Sequence, residues 1–78
     1  MDTATTTRFL ELFAEKAELT VDELDPGLTF DELGLDSLHL MEVALAVQKE
    51  YGVAIPEGDL HHEQTLREAL DYLDARTR

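Results

Sequence analysis

Between Ser37 and Tyr51 the apolar residues form two stripes of one helix, and that double stripe limits what this chain can become. At 100° per residue, Leu40, Val43, Ala44, Val47 and Tyr51 share a face. His39, Glu42, Ala46, Lys49 and Glu50 lie opposite. Leu38, Met41 and Leu45 recur at spacings of three and four on a flank of their own, beside Ser37. The first stripe demands a core. The second either finishes that core or stays on the surface for a partner. Asp36 can accept the free amides of the first turn, and Gly52 suits a helix stop.

Two further helices can supply the core. Phe9, Leu10, Phe13 and Ala17 give a helical period from Thr5 to about Glu18, with Thr5, Thr6 and Thr7 as caps and Arg8, Glu11, Glu15 and Lys16 on the wet side. Thr65 caps a last helix with Glu68 three residues on, a capping box. Leu66, Ala69, Leu70 and Leu73 form its stripe, and Arg76 and Arg78 suit its C-terminal dipole. Pro56, after the extended Val53-Ala54-Ile55, suits a one-turn helix through Leu60. The connection 19–36 turns at Pro26-Gly27. A loop this long tends to be functional or pinned. Leu24, Leu28, Phe30, Leu33 and Leu35 are its pins, with a short turn at Asp22–Leu24. No run alternates like a strand. The expected fold is all-α: one domain over 1–78, core about 5–76, a small four-helix bundle with three main helices, a short third helix and a long first loop.

Seventy-eight residues bury only about 60% of the unfolded surface, so the core is thin. With no cysteine, no disulfide supports it, and any thiol chemistry must arrive on a cofactor. The longest apolar run, Val43 to Val47, is far short of the roughly 20 residues of a membrane span. MDTATTTRFL lacks the features of a secretion signal, so a soluble cytoplasmic protein is expected. A net charge of −12 disfavours nucleic acid and anionic lipid and favours basic protein surfaces. Nine of the acids lie in 11–36 beside a single lysine, Lys16. Mutual repulsion there would raise carboxylate pKa values, so stability is expected to rise as pH falls from neutral.

Most site chemistries fail on spacing. A serine nucleophile needs a base in reach, but His39 points about 200° from Ser37 on the same helix. Leu35 and His39 occupy the glycine positions of the esterase turn. His61 and His62 are adjacent, not four apart as a helical metal pair would be, and read as solvated loop residues. Leu24 and Pro26 break a calcium loop counted from Asp22. Ser37 remains. Either Asp36-Ser37 is an ordinary helix start, or Asp36 caps and frees the Ser37 hydroxyl. A phosphate attached to it would then sit at the positive end of the helix.

The segment Phe30-Asp31-Glu32-Leu33-Gly34-Leu35-Asp36-Ser37-Leu38 resembles the attachment motif of acyl and peptidyl carrier proteins. Glu42, Val53-Ala54-Ile55-Pro56 and Thr65-Leu66 extend the likeness, which runs from about Phe9 to Leu73. The resemblance implies a monomeric, non-catalytic carrier. A separate phosphopantetheinyl transferase would move 4′-phosphopantetheine from coenzyme A onto Ser37. Acyl, aminoacyl or peptidyl groups would ride on that arm as thioesters, between loading, elongating and tailoring enzymes acting in trans. Asp36 and Leu38 would flank the site for the transferase, and Leu38, Met41, Glu42 and Leu45 would dock partners. No nucleic acid, membrane or metal is implied. Many fatty-acid carriers have a more acidic second helix than this one, where His39, Gln48 and Lys49 intervene. That favours polyketide or nonribosomal peptide assembly over primary fatty-acid synthesis. The alternative is an unmodified acidic helical adaptor for a basic partner.

Overall fold

The computed structural model describes residues 3–77. Three α-helices, α1 (Thr3–Ala17), α2 (Ser37–Tyr51) and α3 (Leu66–Thr77), surround one core, with a 3-10 turn at Val21–Glu23 in the first loop. Among the described residues the only β pairing is an isolated bridge between Thr29 and Thr65. The fold is therefore the expected small helical bundle. No described helix is long and apolar enough to cross a membrane. Met1, Asp2 and Arg78, the last of them expected at the C-terminal dipole, lie outside the described residues.

α1 starts two residues earlier than its apolar period suggests, so Thr5–Thr7 lie within the helix rather than capping it. Its buried residues are Phe9, Leu12, Phe13 and Ala14, while Leu10 and Ala17 are half-buried. α1 packs against both α2 and α3, and two neighbours bury a wider face than one stripe covers. The helix ends on Glu18 at φ 58, with Leu19 N–H donating to Ala14 C=O at 3.0 Å and Glu18 N–H to Glu15 C=O at 3.3 Å. This is the double closure usually built on glycine. Arg8 does not simply face water. Its guanidinium grips Glu50 through Nε and Nη2 at 2.9 and 2.6 Å, tying α1 to the end of α2.

α2 spans the expected residues. Leu40, Val43 and Val47 are buried, Ala44 and Tyr51 are half-buried, and the Tyr51 ring lies 5.4 Å from that of Phe9. Gly52 stops the helix at φ 66, a left-handed conformation that costs glycine nothing. In α3 the expected stripe is buried, together with Asp74.

The first loop is a folded unit. Leu24, Phe30, Leu33 and Leu35 are buried as pins, and Leu28 is half-buried. Phe30 stacks on Phe13 with ring centroids 5.0 Å apart. The 3-10 turn sits one residue before the expected position. Thr20-x-x-Glu23 and Thr29-x-x-Glu32 form the same reciprocal bonds as Thr65-x-x-Glu68: each threonine N–H donates to the glutamate carboxylate, at 2.9, 3.0 and 2.9 Å. The last two boxes lie side by side. Phe30 N–H donates to Gln64 C=O and Leu66 N–H to Leu28 C=O, which fastens the loop to the start of α3.

Two expectations are corrected. Pro56–Leu60 forms turns, not a short third helix, because Gly58 at φ 91 leaves the helical region after one Asp59 N–H to Pro56 C=O bond. Ile55 and Leu60 are still buried, and Tyr72 Oη–H donates to Asp59, which also meets Arg76 at 3.6 Å. Within the acidic stretch 11–36, Glu23 and Asp36 also run against the expected upward shift. Amide and hydroxyl bonds from Thr20 hold Glu23 below the usual carboxylate range, and Asp36, Glu50 and Glu68 are lowered too. Capping bonds and the Arg8 pair favour the charged forms.

Candidate functional site

Ser37 is the first residue of α2 and is exposed. The preceding residue explains why its hydroxyl is uncommitted. Asp36 is extended at φ −97, ψ −178, and its Oδ1 accepts the His39 N–H at 3.0 Å. The cap is therefore filled by Asp36, and that His39 amide is the main reason its carboxyl titrates low. The neutral His39 imidazole turns back onto the same residue, its Nδ1 accepting the Asp36 N–H at 3.4 Å. Protonated, Nδ1 would meet Asp36 Oδ1, 3.3 Å away. In either state the ring is held on Asp36.

Ser37 also opens onto a groove of about 530 Å³. One wall is the flank of α2: Leu38, Met41, Ala44, Leu45 and Gln48. The other is the turn segment from Ile55 to His62. Leu38 and Leu45 are each 57% exposed and Met41 47%, so the second stripe of α2 stays out of the core and forms a lip of the groove. Glu42 lies elsewhere. It is exposed but leans toward α1, its Oε2 3.5 Å from Lys16 Nζ. The structure thus brings Ser37, Leu38, Met41 and Leu45 together and leaves Glu42 beside them.

The far wall escaped sequence reasoning. His61 and His62 are exposed loop residues, as expected, yet they line the groove. The available signal was Ile55 and Leu60, two apolar residues bracketing a turn with no helical period. Their burial pulls the segment against α2. Ile55 N–H donates to Gln48 Oε1 at 3.3 Å and fixes the spacing of the two walls. The described residues hold no cluster of three metal-ligating side chains.

What this arrangement offers is a tethering point: an uncommitted hydroxyl at a helix N-terminus, where an attached phosphate is favoured, next to an apolar groove. Residues 7–73 match the family model described as the phosphopantetheine attachment site. A granaticin polyketide synthase acyl carrier protein from Streptomyces violaceoruber is 47% identical over 57 residues, covering 73% of this chain and 65% of that one, a little under two thirds of the relative's length. An acyl carrier protein from Acidothermus cellulolyticus is 32% identical over 68 residues, covering 86% and 81%. Among solved structures, a 3,5-dioxohexyl acyl carrier protein (a triketide mimic) from the actinorhodin polyketide synthase of Streptomyces coelicolor superposes with a TM-score of 0.75 at 33% identity, covering 92% and 88%. The chain belongs to the acyl carrier protein family, non-catalytic carriers whose prosthetic group is a covalently attached 4′-phosphopantetheine.

Proposed function

We propose that Ser37 carries the phosphopantetheine arm and that the chain ferries acyl intermediates of polyketide assembly between enzymes acting in trans. The observation behind this reading is the exposed Ser37 hydroxyl, relieved of capping by Asp36 and opening on the groove. A phosphopantetheinyl transferase would install the arm, with Asp36 and Leu38 flanking its target. The arm supplies the thiol that this cysteine-free chain lacks. Leu38, Met41 and Leu45 would present an apolar strip to each partner, and Glu42 would add charge at its edge. Apolar contact with flanking charge suits fast, reversible docking. The groove would shelter the cargo between visits. The polyketide assignment draws on the granaticin and actinorhodin relatives and on a second helix carrying Lys49 among few acids. A cytoplasmic site of action would suit coenzyme A as the donor of the arm. The adaptor alternative has only the acid excess in its favour.

The test is reconstitution of the arm-bearing protein with a malonyl-loading acyltransferase and a ketosynthase, from a polyketide system or from a fatty-acid system. The reading expects faster elongation with the polyketide partner and none for Ser37→Ala with either. Equal or better elongation by the fatty-acid ketosynthase would reject the polyketide assignment.

A further inference from the structure

The groove is apolar along α2 but carries two imidazoles on its far wall, and that asymmetry selects a class of cargo. We infer that His61 and His62 are specificity-determining donors that hold a chain bearing repeated ketone carbonyls in preference to a saturated chain. The inference rests on the reading that Ser37-borne cargo enters the groove.

The backbone at both residues is already committed. His61 C=O accepts Gln64 N–H at 3.1 Å, and His62 C=O accepts Asp31 N–H at 2.9 Å. The segment is thus fixed to the first loop and to the turn before α3, and both histidines line the groove from this anchored frame. Among the described residues neither side chain makes a hydrogen bond. Neutral imidazole offers one N–H donor, and imidazolium offers two. Gln48 adds a third group on the opposite wall. Its Oε1 is occupied by Ile55 N–H, which leaves the amide NH₂ to donate.

A poly-β-keto chain alternates carbonyl acceptors with short carbon links and has no donor of its own in the keto form. In a groove walled only by Leu38, Met41, Ala44 and Leu45, each carbonyl would lose its water without replacement, which is unfavourable. The two imidazoles and Gln48 supply the missing donors, while the α2 wall covers the carbon links. A saturated chain gains only the apolar wall and must also desolvate the imidazoles. The Glu57 carboxylate, exposed at the rim, accepts and does not donate, so it adds nothing to carbonyl binding. Glu68, at the start of α3, is held low first by the Thr65 amide and hydroxyl, with His61 a lesser contributor.

The experiment loads the arm-bearing protein with a 3,5-dioxohexyl or a hexyl group and follows amide chemical shifts at Leu45, Ile55, Leu60 and His62. Wild type is compared with His61→Phe/His62→Phe and with His61→Gln/His62→Gln. The expected result is a larger groove perturbation by the dioxo chain in wild type. The Phe pair should reduce the dioxo preference about two- to tenfold per lost bond, and the Gln pair should restore much of it by returning donors. Melting curves within a few degrees of wild type establish that these exposed substitutions leave the fold intact. If neither chain perturbs the groove of the wild type, the groove reading fails and this inference with it. If both chains enter and the Phe pair leaves their ratio unchanged, the groove stands and the histidine assignment is overturned.

Discussion

Replacing Phe30 with alanine should bring the whole domain close to unfolding at 37 °C, although Phe30 belongs to no helix. The side chain is fully buried and stacks on Phe13. Its carbonyl accepts Leu33 N–H at 3.1 Å and Leu35 N–H at 2.8 Å, so the turn that delivers Asp36 and Ser37 is folded on this residue. A buried phenylalanine hides about 150–250 Å². At about 25 cal/mol per Å² this amounts to about 4–6 kcal/mol, close to the roughly 3–5 kcal/mol typical of Phe-to-Ala core changes. Domains of this size have about 4–12 kcal/mol in total, from roughly 0.05–0.15 kcal/mol per residue. Each kcal/mol shifts the midpoint by about 4–8 °C in a small domain, so Tm should fall by at least roughly 12 °C. Phe30→Leu keeps most of the volume and should cost about 1–2 kcal/mol, chiefly the ring contact. Thermal unfolding by circular dichroism, with amide exchange across α1, α2 and α3, reads the effect. A Phe30→Ala variant that melts within a few degrees of wild type would show that the loop is not part of the cooperative core. Exchange that rises only in 19–36 would show that the helices stand without it.

Other outcomes follow from the same contacts. Met41→Glu should change stability by less than about 0.5 kcal/mol, since Met41 is half exposed, yet slow turnover with a partner ketosynthase; a collapsed melt with intact turnover would return Met41 to the core. Tyr72→Phe removes the hydroxyl that donates to Asp59 and accepts Arg76 Nε at 3.0 Å. It should cost about 1 kcal/mol and raise amide exchange selectively at Asp59 and Leu60; uniform exchange across the domain would deny a local clasp. Glu23, Asp36, Glu50 and Glu68 titrate lower in the folded chain than in the unfolded one. Their stabilisation is fully present above the unfolded carboxylate range near pH 4 and is lost as pH falls through their folded values. Tm should therefore drop as pH falls below the usual carboxylate range, and Asp36→Asn should make that drop shallower; a Tm that rises on acidification would restore the repulsion account.

The parts of the fold that were legible are those fixed by local rules. α2 could be bounded because a capping acid precedes it and a glycine follows it, and α3 because Thr65 and Glu68 announce its start. The same Thr-x-x-Glu pattern at 20–23 and 29–32 was equally visible but marks a 3-10 turn and a loop turn, so the motif alone does not say what length of helix follows. α1 was less legible. Its buried face is set by two neighbours, α2 and α3, and takes in Leu12 and Ala14 beyond the single stripe. Elimination left Ser37 as either an ordinary helix start or a chemical handle, and the resemblance of Phe30–Leu38 to the carrier attachment motif decided between them. The groove could not be read in the same way. It exists only because Ile55 and Leu60 fold a helix-free segment against α2, bringing His61 and His62 opposite Met41 across a gap that no local period encodes.

We propose the exposed Ser37 hydroxyl, freed by the Asp36 cap, as the point where the arm is attached. Intact-mass spectrometry after incubation with a broad-specificity phosphopantetheinyl transferase and coenzyme A measures this directly, with fragmentation to locate the added group. Wild type should gain one phosphopantetheinyl group per chain, on the peptide containing Ser37, and Ser37→Ala should gain none while keeping the wild-type melt. An unchanged wild-type mass, or a Ser37→Ala chain that is still modified, would contradict the account.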